Sequence, residues 1–226
     1  MKLLLSGLLA VMFAPSTQAQ FRATIYPGLT VSRASIASAK QDNVSIKNRT
    51  GRHLGLSLQP VPNQRNFLVD VAIAQRGFES HAAEDDVMGF LDAGMSMTYL
   101  EVAAHGKFRL ATETYIEPHG IAGVYFGRRI GCSVSANIEG DDDVAARLEV
   151  DCQDLLKDEA TTDLGAVLGV GLDTMLSENV FFSFQTLVSH SLKNIELRSE
   201  EPSDGDTTLK HRALTIRAGV GMVFGK

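Results

Sequence analysis

Hydrophobic and polar residues alternate strictly through the segment from Asp163 to Asp173. One side of this segment is apolar and carries Leu164, Ala166, Leu168, Val170 and Leu172. The other side is small or charged and carries Asp163, Gly165, Val167, Gly169, Gly171 and Asp173. Because successive side chains of a β-strand point to opposite faces, the alternation predicts a strand with one apolar face.

Seven more segments alternate in the same way, so the chain is predicted to contain eight strands. They cover residues 21–32, 52–61, 66–78, 97–110, 115–130, 163–173, 182–189 and 214–224. A soluble, half-buried sheet would also alternate, but its strands usually have about five or six residues. Most of these strands reach about ten residues, which is the length of a tilted strand that crosses a bilayer.

The connections between the predicted strands alternate between two classes. The short ones are residues 62–65, 111–114 and 177–179, and the long ones are residues 33–51, 79–96, 131–162 and 193–209. Outer-membrane barrels sort their connections in this way, with short turns in the periplasm and long loops outside the cell. The sequence therefore predicts an all-β fold: an eight-stranded antiparallel up-and-down transmembrane β-barrel with short periplasmic turns and long extracellular loops.

The N-terminal residues have the pattern of a secretory signal peptide. Lys2 precedes an apolar run from Leu3 to Ala14, and Thr17-Gln18-Ala19 forms a small-residue cleavage site. The apolar run is too short to anchor the chain as a membrane-spanning helix. We predict that residues 1–19 are a cleaved signal peptide and that residues 20–226 form a single barrel domain in the bacterial outer membrane.

The charge of the chain argues against nucleic acid as a partner. The formal net charge is −6 and becomes −7 if Lys2 is removed with the signal peptide. An acidic protein repels the phosphate backbone of nucleic acids. The apolar faces instead predict outer-membrane lipid as the surrounding partner, with no cofactor required.

The two cysteines of the chain, Cys132 and Cys152, flank one hydrophilic segment. Exported proteins meet an oxidising compartment, so we predict a disulfide between them. Such a bond stabilises a loop of this size by roughly 3 kcal/mol in the chain-entropy model. A metal site is the alternative, but no paired histidine or cysteine supports it.

Four motifs together resemble a known group of membrane proteins. They are TYLEVAAHGKFRL, YIEPHGIAGVYFGRRIG, DLGAVLGVGLD and the terminal RALTIRAGVGMVFGK. Over nearly all of the mature chain, they are similar to the PorT-type, OmpX-like family of outer-membrane β-barrels. The resemblance implies an eight-stranded antiparallel barrel with both termini in the periplasm, and it carries over no functional residues. One departure is that Gly225 and Lys226 follow Phe224, where an aromatic residue usually ends the chain.

The inward faces of the predicted strands carry a set of mixed charges. They are Arg22, Asp70, Arg76, Glu101, Lys107, Arg109, Glu117, Asp173 and Arg217. In a narrow eight-stranded lumen such charges are expected to pair with each other and fill the interior. A small conductive path or a proton-linked site is the alternative, with His105 and His119 near Glu101 and Glu117 as its best candidates.

Three other clusters give weaker signals for chemistry. Asp141-Asp142-Asp143 offers carboxylates to calcium but lacks the ligand spacing of a known calcium loop. Ser189-His190-Ser191 places neighbours on opposite faces of a strand, so they cannot form a catalytic dyad. The rim cluster of His81, Glu84, Asp85 and Asp86 is explained by an acidic loop. We therefore predict no catalytic, cofactor-binding or metal-binding residues.

The predicted function is that of a non-enzymatic outer-membrane barrel that displays extracellular loops. The loops would serve adhesion, contact with a host or phage surface, or association with an envelope complex such as a secretion system. A small outer-membrane channel is the first alternative, and a membrane-embedded hydrolase or acyltransferase would require a triad at the rim. A soluble periplasmic ligand-binding barrel of the lipocalin type is the last alternative, and it conflicts with the outward apolar faces.

Overall fold

The computed structural model describes residues 20–37, 44–60, 67–82, 91–110, 115–138, 146–151, 161–193, 195–196 and 208–225. Within these residues the fold is all-β, and no helix is long and apolar enough to cross a membrane. The strands are β1 (Phe21–Ala37), β2 (Val44–Pro60), β3 (Phe67–Ala82), β4 (Leu91–Arg109), β5 (Ile116–Ile138), β6 (Ala146–Asp151), β7 (Thr162–Met175), β8 (Val180–Ser191), β9 (Ile195–Glu196) and β10 (Thr208–Phe224). The predicted signal peptide, residues 1–19, lies outside the described residues and stays a prediction.

Eight long strands close into an antiparallel barrel, which confirms the predicted fold class. Each wall strand pairs with its sequence neighbour in the order β1, β2, β3, β4, β5, β7, β8 and β10, and β10 pairs with β1. The short strands β6 and β9 lie outside this wall and extend β5 and β10 on the long-loop side. Closure satisfies the backbone hydrogen bonds of both terminal strands, which a barrel in hydrocarbon requires.

The register fixes the tilt of the strands. Starting at Arg33 of β1, one can step around the barrel from each residue to its cross-strand partner. The path returns to β1 at Ala23 instead of at Arg33, so the sheet closes with a stagger from residue 33 to residue 23. The intermediate positions are Arg212, His190, Ala166, Val124, Ala104, Val69 and Leu58. This stagger matches strands tilted by roughly 40° to the barrel axis.

The outward faces form an apolar band around the barrel. In β1, Phe21, Ile25, Leu29 and Val31 are exposed, and their polar neighbours Thr24 and Thr30 are buried inside. The band continues on every wall strand, as the alternation in the sequence predicts. Whether a residue belongs to the odd- or the even-numbered positions of its strand, its parity, decides which face it occupies. At the periplasmic end the rings of Phe21 and Phe224 stack with their centroids 4.9 Å apart, across the pairing between β1 and β10.

Six strands run four or more residues further toward the long loops than the alternation predicts, and β7 and β8 exceed it by only one or two. β1, β3 and β5 end later than expected, and β2, β4 and β10 begin earlier. The predicted loop of residues 131–162 is also wrong in one respect, because residues 131–138 and β6 form a hairpin within it. The reason is that apolar alternation marks only the part of a strand in hydrocarbon, whereas the backbone ladder continues into water.

A β-bulge in β5 marks the point where its predicted alternation ends. Thr98 pairs with Gly131 and Tyr99 pairs with Arg129, so Ile130 is an extra residue in β5. An extra residue reverses the parity of the rest of the strand. Val134 consequently faces the interior on the loop side, where it packs on the cluster that contains Met97.

Inward glycines of β7 make room for large interior side chains. A Cβ at Gly165 would overlap the Tyr125 ring and the carbonyl oxygen of His190. A Cβ at Gly120, in contrast, meets nothing within 4 Å. The small residues on the inward face of β7 are therefore required for packing in the narrow lumen.

Substitution Gly165→Ala should destabilise the barrel by about 1–3 kcal/mol, because the added methyl group must displace Tyr125. The control Gly120→Ala should change the free energy of unfolding by less than about 0.5 kcal/mol. Urea unfolding in lipid vesicles, followed by the boiled and unboiled gel migration, measures both. Equal stability of the two variants would show that the lumen relaxes around the methyl group.

The predicted disulfide remains a prediction, because Cys152 lies outside the described residues. Cys132 lies in β5, and the β5–β6 ladder places Ser133 opposite Asp151. Each residue of this pair is the sequence neighbour of one cysteine, which supports the predicted disulfide.

We expect intact cells to bind a membrane-impermeant maleimide at this pair only after treatment with an impermeant reductant. Variant Cys132→Ser should expose Cys152 to the reagent without reductant. Labelling of the wild-type protein without reductant would disprove the disulfide, whereas labelling only after cell lysis would place the pair inside the cell.

Candidate functional site: the charged lumen

The barrel interior contains two polar clusters, each held together by its own hydrogen bonds and ion pairs. The first, the Arg76 cluster, comprises Arg76, Glu101, Tyr125, Asp163 and Ser191. The second, the Arg217 chain, comprises Asp70, Arg217, Gln185, Tyr26, Ser183, Asp173 and Lys107. Together they join seven of the eight wall strands across the lumen.

Arg76 of β3 is the centre of the first cluster. Its guanidinium lies 2.7 Å from Glu101 and 3.1 Å from Asp163, and it donates a hydrogen bond of 2.8 Å to the Tyr125 hydroxyl. The same guanidinium lies 4.5 Å from the centroid of the Tyr125 ring, a cation–π distance. Asp163 also accepts hydrogen bonds from Tyr125 at 2.9 Å and from Ser191 at 2.5 Å.

The Arg217 chain begins with a buried ion pair. Nη2 of Arg217 in β10 donates to Asp70 of β3 at 2.6 Å and to Gln185 of β8 at 2.7 Å. The guanidinium also lies 4.4 Å from the centroid of the Tyr26 ring. A charge-assisted pair of this kind needs further partners when it is removed from water. Nε and Nη2 of Arg217 both donate to Oε1 of Gln185, and the Tyr26 ring faces the guanidinium charge.

The chain continues from Gln185 toward the periplasmic end. Gln185 donates to the Tyr26 hydroxyl at 2.9 Å, which donates to Ser183 at 3.1 Å. Ser183 donates to Asp173 at 2.7 Å, and Lys107 donates to the other oxygen of Asp173 at 2.5 Å. This run of hydrogen bonds links β10, β8, β1, β7 and β4 without a break.

The remaining predicted lumen charges lie at the periplasmic mouth. Arg22 is 3.8 Å from Glu117 and 3.7 Å from Asp173, and Arg109 is 3.9 Å from Glu117. Arg109 and Glu117 are more than one-third exposed. These contacts are all 3.7 Å or longer, and the pair of Arg109 with Glu117 is also partly solvated, so they are weaker than the contacts of the two central clusters.

Two histidines have partners other than the expected ones. Nδ1 of His105 lies 3.4 Å from Asp70 rather than beside Glu101. His119 lies 4.0 Å from Asp173, and its Nδ1 lies 3.2 Å from the backbone carbonyl of Glu117. The parity of the strands places both rings inside, but the stagger of the barrel decides which carboxylate each ring meets.

A small cavity of about 40 Å³ separates the two clusters. It is lined by charged and polar groups that include Arg76, Glu101, Asp70, Arg217 and His53. Buried atoms around it, such as Oδ1 of Asp70 and Nε of Arg76, have no hydrogen-bond partner among the described residues. A polar cavity of this size has room for a few water molecules.

Apolar layers inside the barrel complete the filling of the lumen. Toward the loops, Phe78, Met95, Met97 and Tyr99 pack with Ala34. Nearer the middle, Ala103, Ile121, Tyr125, Val167 and Leu187 form a second layer. Apolar side chains therefore fill the lumen on the long-loop side of the charged clusters and next to them.

The structure places each predicted lumen charge on the inner side of the wall or at its periplasmic mouth. It also adds Asp163, which is not among the predicted lumen charges although its parity is that of Asp173. Asp163 could have been identified from the sequence, because it is the first inward residue of the alternating segment 163–173. The hydroxyl and amide partners Tyr26, Tyr125, Ser183, Gln185 and Ser191 could not be identified, because inward polar residues are common in barrels.

The weaker chemical candidates form no site among the described residues. Ser189 and Ser191 are buried inside, and His190 lies on the opposite face, as neighbours on a strand must. No group of three histidine, cysteine or acidic residues in the described part of the chain could hold a metal ion. The candidates at Glu84–Asp86 and Asp141–Asp143, together with the side chain of His81, lie outside the described residues.

The closed wall, the outward apolar band and the filled polar lumen define an integral outer-membrane β-barrel protein. The chain belongs to the family described as outer membrane protein beta-barrel domain, whose model matches residues 3–224. The protein is accordingly located in the bacterial outer membrane. No curated protein matches the chain as a relative.

Several solved barrels are similar to the chain at low identity. OprG from Pseudomonas aeruginosa is 15% identical, with 92% of this chain and 98% of that chain covered and a TM-score of 0.47. E. coli outer membrane protein W is 12% identical, with 92% and 99% covered and a TM-score of 0.47. Neisserial surface protein A is 12% identical, with 88% and 96% covered and a TM-score of 0.42.

Breaking the Arg217–Asp70 pair should destabilise the barrel more than breaking an exposed pair. We expect Arg217→Met to lower the free energy of unfolding by about 3–5 kcal/mol, because it leaves Asp70 charged and buried. The double variant Arg217→Met/Asp70→Asn should recover part of that loss. Arg109→Gln, which breaks the exposed pair with Glu117, should cost at most about 1 kcal/mol.

Urea unfolding in vesicles, monitored by tyrosine fluorescence and gel migration, measures all three variants. If Arg217→Met and Arg109→Gln cost the same, the ion pair of Arg217 is not a structural element of the lumen. If the double variant is no more stable than Arg217→Met, the loss comes from the contacts of Arg217 with Gln185 and Tyr26 instead.

Proposed function

We propose that this protein is a non-enzymatic, non-conducting outer-membrane barrel that displays its extracellular side for contact with other molecules. The observation that carries the proposal is the filled lumen. Arg217, Arg76 and Tyr125 are each buried. Arg217 of β10 reaches Asp70 of β3, and Arg76 of β3 reaches Asp163 of β7, so each arginine crosses the interior to a strand that does not pair with its own. A pore would need a continuous polar path, and the described side chains occupy it.

The extension of the wall on the long-loop side supports display. β4 begins at Leu91, and its outward apolar run begins only at Leu100. β5 reaches Ile138 and forms a hairpin with β6 beyond the apolar band. A paired sheet that rises out of the membrane holds the loops on a rigid base, which is the arrangement that binding loops usually have.

The partner of the displayed side is proposed to be a protein of the envelope or of a host surface, including an envelope complex such as a secretion system. Nucleic acid is disfavoured by the acidic charge of the chain. We propose a monomer within the membrane. The pairing of β1 with β10 supports this in one respect, since it leaves no open sheet edge in the wall to which a second copy could add a strand.

A small channel is the second candidate, and the central cavity is the observation that favours it. The cavity is lined by charged groups from both clusters, including Asp70, Arg76, Glu101 and Arg217. Rearrangement of the Arg217 chain on one side, and of the Arg76 cluster on the other, would connect it with the solvent.

Planar-bilayer recording separates the two functions. We expect the purified wild-type protein to give no stable conductance steps in 1 M salt, a concentration that screens surface charge within about 3 Å. A variant that removes the plug on both sides of the cavity, Arg76→Ala/Arg217→Ala, should show steps or increased noise. Gel migration of unboiled samples verifies that each variant is folded before it is recorded.

Regular, salt-dependent steps from the wild-type protein would overturn the display function in favour of the channel. An insulating wild-type protein together with an insulating double variant would also contradict the proposed role of the two arginines as the plug. In that case the apolar layers would be the barrier.

A further inference from the structure

A row of arginines follows the apolar band on the outer face of the barrel. On three strands, the first outward residue beyond the band on the loop side is an arginine: Arg33 in β1, Arg52 in β2 and Arg212 in β10. Arg128 continues the outward parity of β5 just before its bulge, and all four side chains are exposed. Because the band marks the hydrocarbon, these arginines lie at the level of the outer-leaflet headgroups.

The positive charge is concentrated on one side of the barrel. Arg33 and Arg212 are directly opposite each other in the register of β1 and β10. Lys210 lies two residues beyond Arg212 on the same face, and Arg52 lies on the next strand. The four adjoining wall strands β8, β10, β1 and β2 contain no aspartate or glutamate, and the short strand β9 contributes Glu196 opposite Thr208, further toward the loops.

Like charges directly opposite each other in an antiparallel pair are destabilising unless an anion lies between them. Side chains in such positions have Cβ atoms about 4.5–5.5 Å apart. Neither Arg33 nor Arg212 forms an ion pair with another described residue. The contrast with the lumen is clear, since Arg76 and Arg217 each contact a carboxylate there.

The chemistry of the patch fits a phosphate group held by two guanidinium forks. A guanidinium presents a planar pair of N–H donors that matches phosphate in a bidentate geometry. At this level of the membrane, the phosphate source is the headgroup of a membrane lipid. We propose that Arg33 and Arg212, with Lys210, bind a phosphate of an outer-leaflet glycolipid, so that β10 and β1 are a specific lipid contact.

This lipid contact is independent of the proposed display function, because it lies on the outer wall and needs neither a closed lumen nor a loop partner. The bound phosphate would link β1 and β10 a second time, at the membrane surface. The first connection is the stacking of Phe21 on Phe224 at the opposite end of the same pair of strands.

The test compares binding of bisphosphorylated lipid A with binding of the same lipid after removal of its phosphates. Native mass spectrometry of the detergent-solubilised protein counts the bound lipids at equal concentrations. The wild-type protein should prefer the phosphorylated lipid by about 10-fold or more, as expected for charged hydrogen bonds. The variant Arg33→Gln/Arg212→Gln should lose this preference.

Two further variants make the result specific. Arg128→Gln removes one arginine of the same row on the other side of the barrel, and it should leave the preference unchanged. Arg33→Lys/Arg212→Lys keeps the charge but not the fork geometry, and it should retain only part of the preference. Unboiled gel migration shows that each protein is folded, and Arg212→Gln alone is measured if the double variant does not fold.

Equal binding of the two lipids by the wild-type protein would overturn the proposal. An unchanged preference in Arg33→Gln/Arg212→Gln, or an equal loss in Arg128→Gln, would overturn the assignment to this patch. Inorganic phosphate is added at the same concentration as a competitor. If it displaces the lipid fully, the site binds free anions and the glycolipid is not its ligand.

Discussion

The pairing of β1 with β10 is the constraint on which the rest of this barrel depends. It joins residues from the two ends of the chain, Phe21 with Phe224 and Arg33 with Arg212, and it removes the last free edge of the sheet. In hydrocarbon, an unpaired edge would leave a row of backbone donors and acceptors without partners. Closure at this stagger then sets the tilt of the strands, the width of the lumen and the set of side chains that meet inside.

The narrow lumen forces a compromise between charge and space. Two arginines, Arg76 and Arg217, are buried there, and each is stabilised by a carboxylate, a hydrogen-bond acceptor and an aromatic ring. Glycines in β7 provide the space, since a side chain at Gly165 would overlap Tyr125. The buried charges therefore cross-link the walls and block the axis at the same time, which favours a rigid scaffold over a pore.

The inner and outer arginines of the protein illustrate how environment assigns different roles to one residue type. Inside, Arg217 is surrounded by protein partners that compensate its desolvation. Outside, Arg33 and Arg212 face each other with no carboxylate on their own or adjoining wall strands. The same parity rule that sends Arg217 inward sends Arg212 outward in β10, but their positions along the strand place one within the membrane and the other at its surface.

The sequence by itself determined the number of wall strands, which residues face the lipid and which connections are long, because hydrocarbon imposes a period of two and a minimum strand length. It also identified nearly all lumen charges by parity. Only the tertiary structure decided which charges meet: Arg217 contacts Asp70, which is 147 residues away, and His105 approaches Asp70 rather than Glu101. Those choices depend on the stagger between strands, which arises when the sheet closes. The extended strand ends were likewise decided by backbone pairing in water, where no apolar alternation is needed.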